Sequence, residues 1–265
     1  MDYDKIDAVN WSTLKHMRTS PLHYKHALTA PRKETDLMRI GTAGHALVLE
    51  PDSFSDVHVC YEGRRQGKAW DAFKEEHAGK RILTAAEWVR AVGIGTAVLA
   101  DPTAMHYLGS GIKEAPITWT DRETGIRCKG RPDVAGRILA DMKTTTVIDP
   151  YRFAVHAARM GYPEQLAFYR DGLAENGVPT EPEPIVIVVQ SEPPFDLVVY
   201  RVPEHVVDAG RARYRQLLQR LSECLASDHW PGVARDEQWL EVPEWFYDQG
   251  GTLDLTMDGE SLEVA

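Results

Sequence analysis

Cysteine is scarce: Cys60, Cys128 and Cys224 are the three in 265 residues. They are odd in number and far apart, which excludes a disulfide framework and a cysteine quartet around zinc or an iron–sulfur cluster. No run of about 18 apolar residues occurs, the length a helix needs to cross a bilayer. The first residues, Met1-Asp2-Tyr3-Asp4-Lys5, lack the basic-then-apolar layout of a secretory leader. The expected setting is therefore the cytoplasm, with no membrane partner. Internal repeats and low-complexity stretches are missing too, so the length is filled by one large globular domain or two small ones. Positive charge is also short: 30 basic side chains stand against 40 acidic, a net charge of −10. Taken whole, that balance argues against a nucleic-acid partner, because phosphate contacts need Lys and Arg.

The deficit is local. Residues 236–265 hold nine acids (Asp236, Glu237, Glu241, Glu244, Asp248, Asp254, Asp258, Glu260, Glu263) and no Lys or Arg, which leaves 31 acids against 30 bases over residues 1–235. A polyanion responds to the field where it binds, so the objection from net charge weakens. The expected organisation is one domain over residues 1–235 followed by an acidic extension over 236–265. Trp239, Leu240, Trp245, Phe246 and Tyr247 interrupt the acids, and part of the extension is expected to pack.

Along the chain, Ser12 and Ser20-Pro21 read as starts of short helices, the second running Leu22 to Leu28. A further helix is expected over about Arg39–Glu50, stopped by Pro51, with Gly41, Ala43, Gly44 and Ala46 small enough to admit another backbone near His45. Residues 52–81 read as a basic connecting stretch with short helical parts, and Thr84 caps a helix over Ala85–Leu99, ended by Asp101-Pro102. From Ala115 the period turns to two: Ile117 and Trp119 face Ile126 and Cys128 across a turn at Glu123-Thr124-Gly125. Strands Arg131–Ala135 and Ile138–Thr144 follow around Gly136-Arg137. A helix from Tyr151, broken at Gly161-Tyr162-Pro163 and resumed to Leu173, precedes strands Ile185–Val189 and Leu197–Val202. A last amphipathic helix spans 204–226, with Arg211, Arg213, Arg215 and Arg220 on its wet side. The fold class is α/β, layered in the α+β manner around one central sheet.

The sharpest chemical feature is Arg131-Pro132-Asp133 followed, after seven intervening residues, by Asp141-Met142-Lys143. In a strand, i and i+2 share a face, so Asp141 and Lys143 project together while Met142 enters the core. A turn at Gly136-Arg137 brings Asp133 beside them. Two carboxylates and an ammonium on one spot suit metal-assisted phosphodiester hydrolysis: carboxylates favour Mg²⁺, and a lysine orients or deprotonates the attacking water. A surface salt bridge between two strands would use the same residues. Glu114 could add a carboxylate, and His45 a ring nitrogen or merely a satisfied core histidine. Gln165 and Tyr169, four apart on one helical face, suit a phosphate or base, or simply a polar edge.

Pro132-Asp133 with Asp141-Met142-Lys143 resembles the PD-(D/E)xK nuclease signature, and Gln165-x-x-x-Tyr169 resembles the Q-x-x-x-Y motif of the lambda-exonuclease and RecB-like branch. Gly41 to Pro51 (GTAGHALVLEP) and Ser20-Pro21-Leu22-His23-Tyr24 are similar to the N-terminal helices of RecE-type phage and prophage exonucleases. Five motifs in the family's order span roughly residues 10–225. The resemblance implies a restriction-endonuclease-like core, with a central mixed sheet flanked by helices, and Mg²⁺-dependent exonuclease action on double-stranded DNA ends, with Mn²⁺ as a substitute. His45, Asp133 and Asp141 would be metal ligands, with Glu114 a less secure match. Lys143 would help activate the water, and Gln165 and Tyr169 would support the site and the DNA strand. The family's course is processive 5′→3′ degradation, which leaves 3′ overhangs for a single-strand-annealing protein; relatives form rings around duplex DNA and are encoded by phages or prophages in bacterial cells. The second acid is Asp where many members have Glu, and residues 236–265 match nothing in the pattern.

Two other readings use the same residues: a non-catalytic protein that holds DNA or blocks a host factor, and an endonuclease. For the DNA track, Arg64, Arg65 and Lys68 and the arginine face at 211–220 are the sequence's candidates, with solvated surface as the plain alternative.

Overall fold

The computed structural model describes residues 3–31, 34–247, 255–257 and 260–262. Its first helix, α1 (Trp11–Leu14), starts two residues earlier than expected: the extended Asn10, not Ser12, caps it, its side chain accepting from the Thr13 amide at 2.9 Å. Helix α2 (Pro21–Thr29) begins as expected, with Ser20 accepting from the His23 amide and Pro21 filling the first helical position, where no amide is needed. Helix α3 (Asp36–Leu49) is capped by Thr35 and so begins before Arg39. The stretch expected to be a basic connection holds α4 (Phe54–Val57), β1 (His58–Tyr61), α5 (Gly67–Glu76) and β2 (Arg81–Thr84), with β1 and β2 paired in parallel. Thr84 then caps α6 (Ala85–Ala100) in a reciprocal capping box with Glu87.

Helix α7 (Pro102–Leu108) and strand β3 (Gly111–Lys113) follow where the sequence offered only a stop at Asp101-Pro102. Strands β4 (Ile117–Thr120) and β5 (Arg127–Gly130) form the expected hairpin. Strand β6 (Val134–Gly136) turns into β7 (Ala140–Thr145), then come α8 (Pro150–Met160), α9 (Tyr162–Glu175), β8 (Ile185–Gln190), β9 (Leu197–Arg201) and α10 (Glu204–Ser227).

Five of these strands make a mixed sheet in the order β3-β6-β7-β8-β9, in which only β7 and β8 run parallel. Both faces are covered, so β8 reads as an unbroken apolar run. Val186 and Val188 enter a core with Leu166, Phe168 and Tyr214 from α9 and α10, while Ile185, Ile187 and Val189 meet Ile40, Ile94 and Val98 from α3 and α6. Asp141 and Lys143 lie in register with Val186 and Val188, and Met142 with Ile187. The alternation inferred for Asp141-Met142-Lys143 is therefore what β7 shows. A mixed α/β sheet flanked by helices is the fold.

Close approach of α3 depends on its small residues. A Cβ on Gly41 would fall 2.5 Å from Thr144 Oγ1, and one on Gly44 2.7 Å from Ile94 Cγ2. Gly44→Val gains helix propensity but drives a branched side chain into a filled core. It is expected to lose about 1–3 kcal/mol of stability, read as a lower urea midpoint at unchanged m-value.

The chain divides into two compact units, Met1–Trp230 and Pro231–Ala265. In the second, β10 (Leu255–Met257) pairs antiparallel with β11 (Glu260–Leu262). Trp239 and Leu240 are 93% and 92% exposed, so the expected packing of the extension does not hold for these two. Asp248, Asp254, Asp258 and Glu263 of the acidic extension lie outside the described residues. Among the described residues no helix is long and apolar enough to cross a membrane.

Candidate functional site

Strand pairing places the first carboxylate. Val134 pairs with Ala140 across the β6–β7 turn, so Asp133 sits beside β7 and its Oδ2 accepts the Met142 amide at 2.6 Å. On the other side of β6, Glu114 follows β3 with φ 51, a left-handed conformation that costs a non-glycine residue on the order of 1 kcal/mol. Its amide donates to the Asp133 carbonyl at 3.1 Å, and its side chain meets His45. That imidazole, brought in by the close-packed α3, lies between the two acids: Nε2 is 2.8 Å from Asp133 Oδ2 and Nδ1 is 3.6 Å from Glu114 Oε1. One potential ligand atom from each of His45, Glu114 and Asp133 lies within 4.8 Å of the other two.

Next to this trio, Lys143 Nζ contacts Asp141 Oδ2 at 2.5 Å and lies 4.9 Å from the centre of the Tyr162 ring. Asp141 Oδ2 is fully buried and makes no hydrogen bond, its ion contact with Lys143 being its compensation. Gln165 Nε2 donates to Tyr169 Oη at 3.2 Å, one turn along α9. The Tyr169 ring packs on β5 so tightly that a Cβ on Gly130 would be 3.0 Å from it.

Charge dominates the cluster. Burial opposes the charge on His45, but Asp133, hydrogen-bonded to it, together with Glu114 and Asp141 outweighs burial and raises its pKa to about 9. Burial and the neighbouring Asp133 push Glu114 up to about 7, and the same two causes push Asp141 up to about 6. Asp133 is held below the usual carboxylate range: burial opposes this, but His45, Lys143 and the Met142 amide prevail. Lys143, buried yet flanked by Asp141 and Asp133, keeps its proton beyond the ordinary lysine range. Burial raises the Tyr169 phenol, and Asp141 adds to this. Acids that stay charged and acids that hold protons thus sit side by side, the mark of a functional cluster.

The structure gathers His45, Glu114, Asp133, Asp141 and Lys143, with Tyr162, and brings Gln165 and Tyr169 together on the adjoining helix. Two members were not read from the sequence. Arg131 Nε reaches Glu114 Oε2 at 2.9 Å, and Tyr162 underlies Lys143. Arg131 adjoins the Pro132-Asp133 motif, and Tyr162 opens the resumed helix; those positions were their only signals. The candidate basic tracks fare differently. Arg211 pairs with Asp171 and Asp208, Arg213 with Glu164, and Arg215 with Asp121 at 2.5 Å, so most of the expected wet arginine face is spent on ion pairs. Arg65 Nη2 is 3.3 Å from Glu87 Oε2, whereas Arg64 and Lys68 are exposed.

Residues 10–239 match the family described as a PDDEXK-like domain of unknown function (DUF3799). Among solved structures, a protein described as "Putative exonuclease" from Eubacterium rectale is similar at 13% identity with a TM-score of 0.60, over 92% of this chain and 94% of that one. The structure described as SSO0001 is matched at 15% identity with a TM-score of 0.32, over 79% of this chain and 84% of that one. No curated protein matches.

Proposed function

Because the chain belongs to the PDDEXK-like domain family of unknown function (DUF3799), a nuclease fold, we propose that the cluster around Asp133 is the centre of a metal-dependent exodeoxyribonuclease acting on ends of double-stranded DNA. The observation that carries this reading is the convergence of His45, Glu114 and Asp133 to within 4.8 Å beside the Asp141–Lys143 pair.

The donor set fits a divalent cation. It offers one imidazole and several carboxylate oxygens, those of Asp133 and Asp141 buried, and accumulates negative charge that His45, Lys143 and Arg131 offset in part. His45, Glu114, Asp133 and Asp141 would hold the ion, Mg²⁺ with Mn²⁺ as a substitute. Once bound, the ion would supply an acidified water and neutralise charge on the scissile phosphate. Lys143 keeps its proton at Nζ and so acts as a fixed positive donor toward the attacking water or the phosphate rather than as a base. Asp141 holds that ammonium in place, and the Tyr162 ring supports it from beneath. Gln165 and Tyr169 offer an amide and a phenol along α9 toward the strand.

Proton competition follows from the same electrostatics. His45, charged up to about pH 9, Glu114, protonated up to about pH 7, and Asp141, protonated up to about pH 6, must each lose a proton to become ligands. Affinity for Mg²⁺ is therefore expected to climb by up to about 1000-fold per pH unit below pH 6, by about 100-fold per unit from 6 to 7, by about tenfold per unit from 7 to 9, and to level off above that. Calorimetric titration across this range checks it, and a flat profile would remove His45 from the ligand set.

The finer part rests on the RecE-like motifs alone: 5′→3′ degradation leaving 3′ overhangs for an annealing protein, by a ring of copies in a bacterial cell carrying the phage or prophage gene. Duplexes labelled at the 5′ or the 3′ end, compared with covalently closed circles in Mg²⁺, test it. Early release of the 5′ label with intact circles is expected. Nicked or linearised circles would mean an endonuclease, and degradation of neither would leave only binding.

A further inference from the structure

Beside this site runs a surface whose charge opposes that of the whole chain. One cavity of about 470 Å³ is lined by Lys15, His16, Arg18, Thr19, Arg159 and Met160. A second, of about 320 Å³, is lined by Val147, Tyr151, Arg152, Val155, His156 and Arg159. Among the described residues no carboxylate lines either, although acids outnumber bases 40 to 30 in the chain. The two share Arg159 and so form one shelf along the outer face of α8, on which Arg152, His156 and Arg159 recur at helical spacing. The inner face of the same helix is anchored by Phe153, stacked on Tyr200 with ring centres 5.3 Å apart. The outer face keeps Tyr151 79% exposed.

The shelf joins the candidate site through consecutive residues. The Arg18 guanidinium donates to the carbonyls of Arg159 at 2.9 Å and Ala158 at 3.3 Å, groups that the end of α8 leaves without helical partners. Gly161, with φ 76, then turns the chain, and a Cβ there would lie 3.0 Å from Arg18 Nη1. The next residue is Tyr162, whose ring carries Lys143. From Arg152 to Arg159 the helix rises about 10 Å, which is about three steps of 3.4 Å along one DNA strand.

We propose that this shelf, and neither of the two tracks marked by the sequence, holds the phosphate backbone of the DNA whose strand is presented at Lys143, with Arg152 and Arg159 each meeting a phosphate. The proposal rests on the nuclease reading for its partner. Arg18 is set apart because it also closes the end of α8.

The test is the salt dependence of binding. Full-length protein carrying Arg152→Gln and Arg159→Gln is titrated onto a fluorescent blunt duplex in chelator, across a salt series. A control removes two charges elsewhere, by Arg122→Gln and Arg137→Gln. The shelf variant is expected to bind more weakly, with a slope of log K against log salt shallower by about 1.8, at about 0.9 per lost phosphate contact. Arg152→Lys with Arg159→Lys should keep the wild-type slope, and thermal unfolding should be unchanged. A shelf variant with the wild-type slope overturns the proposal, and the nuclease reading stands if the wild type still degrades linear duplex in Mg²⁺. Wild-type protein that shows the shelf-dependent slope but no degradation sinks the nuclease reading and leaves the shelf. Wild-type protein that binds no DNA overturns the shelf as a phosphate track and leaves its charge to an acidic protein.

Discussion

Lys143→Ala is expected to slow release of nucleotides from linear duplex DNA by about 10²–10³-fold while DNA affinity in Mg²⁺ changes by no more than a few-fold. Nζ is the cation nearest Asp141 and is seated on the Tyr162 ring, so its charge sits at a fixed place at no cost when the reaction needs it. Lys143→Arg should not restore the rate, because a planar fork does not occupy the place of a compact ammonium beside Asp141. The substitution also removes the partner of a buried carboxylate. Asp141, already raised to about 6 with the lysine present, should then titrate higher, and thermal unfolding separates lost stability from lost chemistry. A Lys143→Ala protein that folds and degrades duplex at the wild-type rate would refute the role given to this side chain.

Asp133→Asn is expected to cost more than about 100-fold in Mg²⁺ affinity at pH 7, measured by titration calorimetry. Asp133 Oδ2 receives both His45 Nε2 and the Met142 amide. The asparagine's amide oxygen can still accept from both, so what the substitution removes is the carboxylate's negative charge. The same change should lower the His45 pKa from about 9, because the largest attraction opposing its burial is gone. A histidine NMR titration follows that fall. If metal affinity and the His45 titration both stayed at wild-type values, the geometry around Asp133 would not be a ligand site.

The parts of this site that could be read beforehand are those governed by local rules. Period-two alternation put Asp141 and Lys143 on one face, and a turn at Gly136-Arg137 folded Asp133 against them; both follow from a few neighbouring residues. The small residues of α3 announced a close approach, and Gly41 and Gly44 meet Thr144 and Ile94 there. Glu114 joins the trio only because β3 pairs with β6, and β3 itself went unread behind Asp101-Pro102, where a proline at the first helical position opens α7 instead of ending structure. The β1–β2 pair escaped for a related reason: parallel strands separated by a helix leave no hairpin signal, and both are short and half exposed.

Charge patterning misled in both directions. The arginines of α10 have the spacing of a wet face, yet Asp121, Asp171 and Glu164 from other elements meet them, and no count along one helix reveals that. The cations of the shelf lie on α8 and near α1, more than a hundred residues apart in sequence, and become one surface only through the Arg18 contacts with the end of α8.

The central claim is that the Asp133 cluster with Lys143 hydrolyses phosphodiester bonds with the help of a divalent ion. Uniformly labelled linear duplex incubated with the full chain, in Mg²⁺ and in chelator, tests it most directly, with acid-soluble label followed over time. Steady release in Mg²⁺ that stops in chelator is the predicted result; no release above background in Mg²⁺ or Mn²⁺, or equal release in chelator, would contradict it.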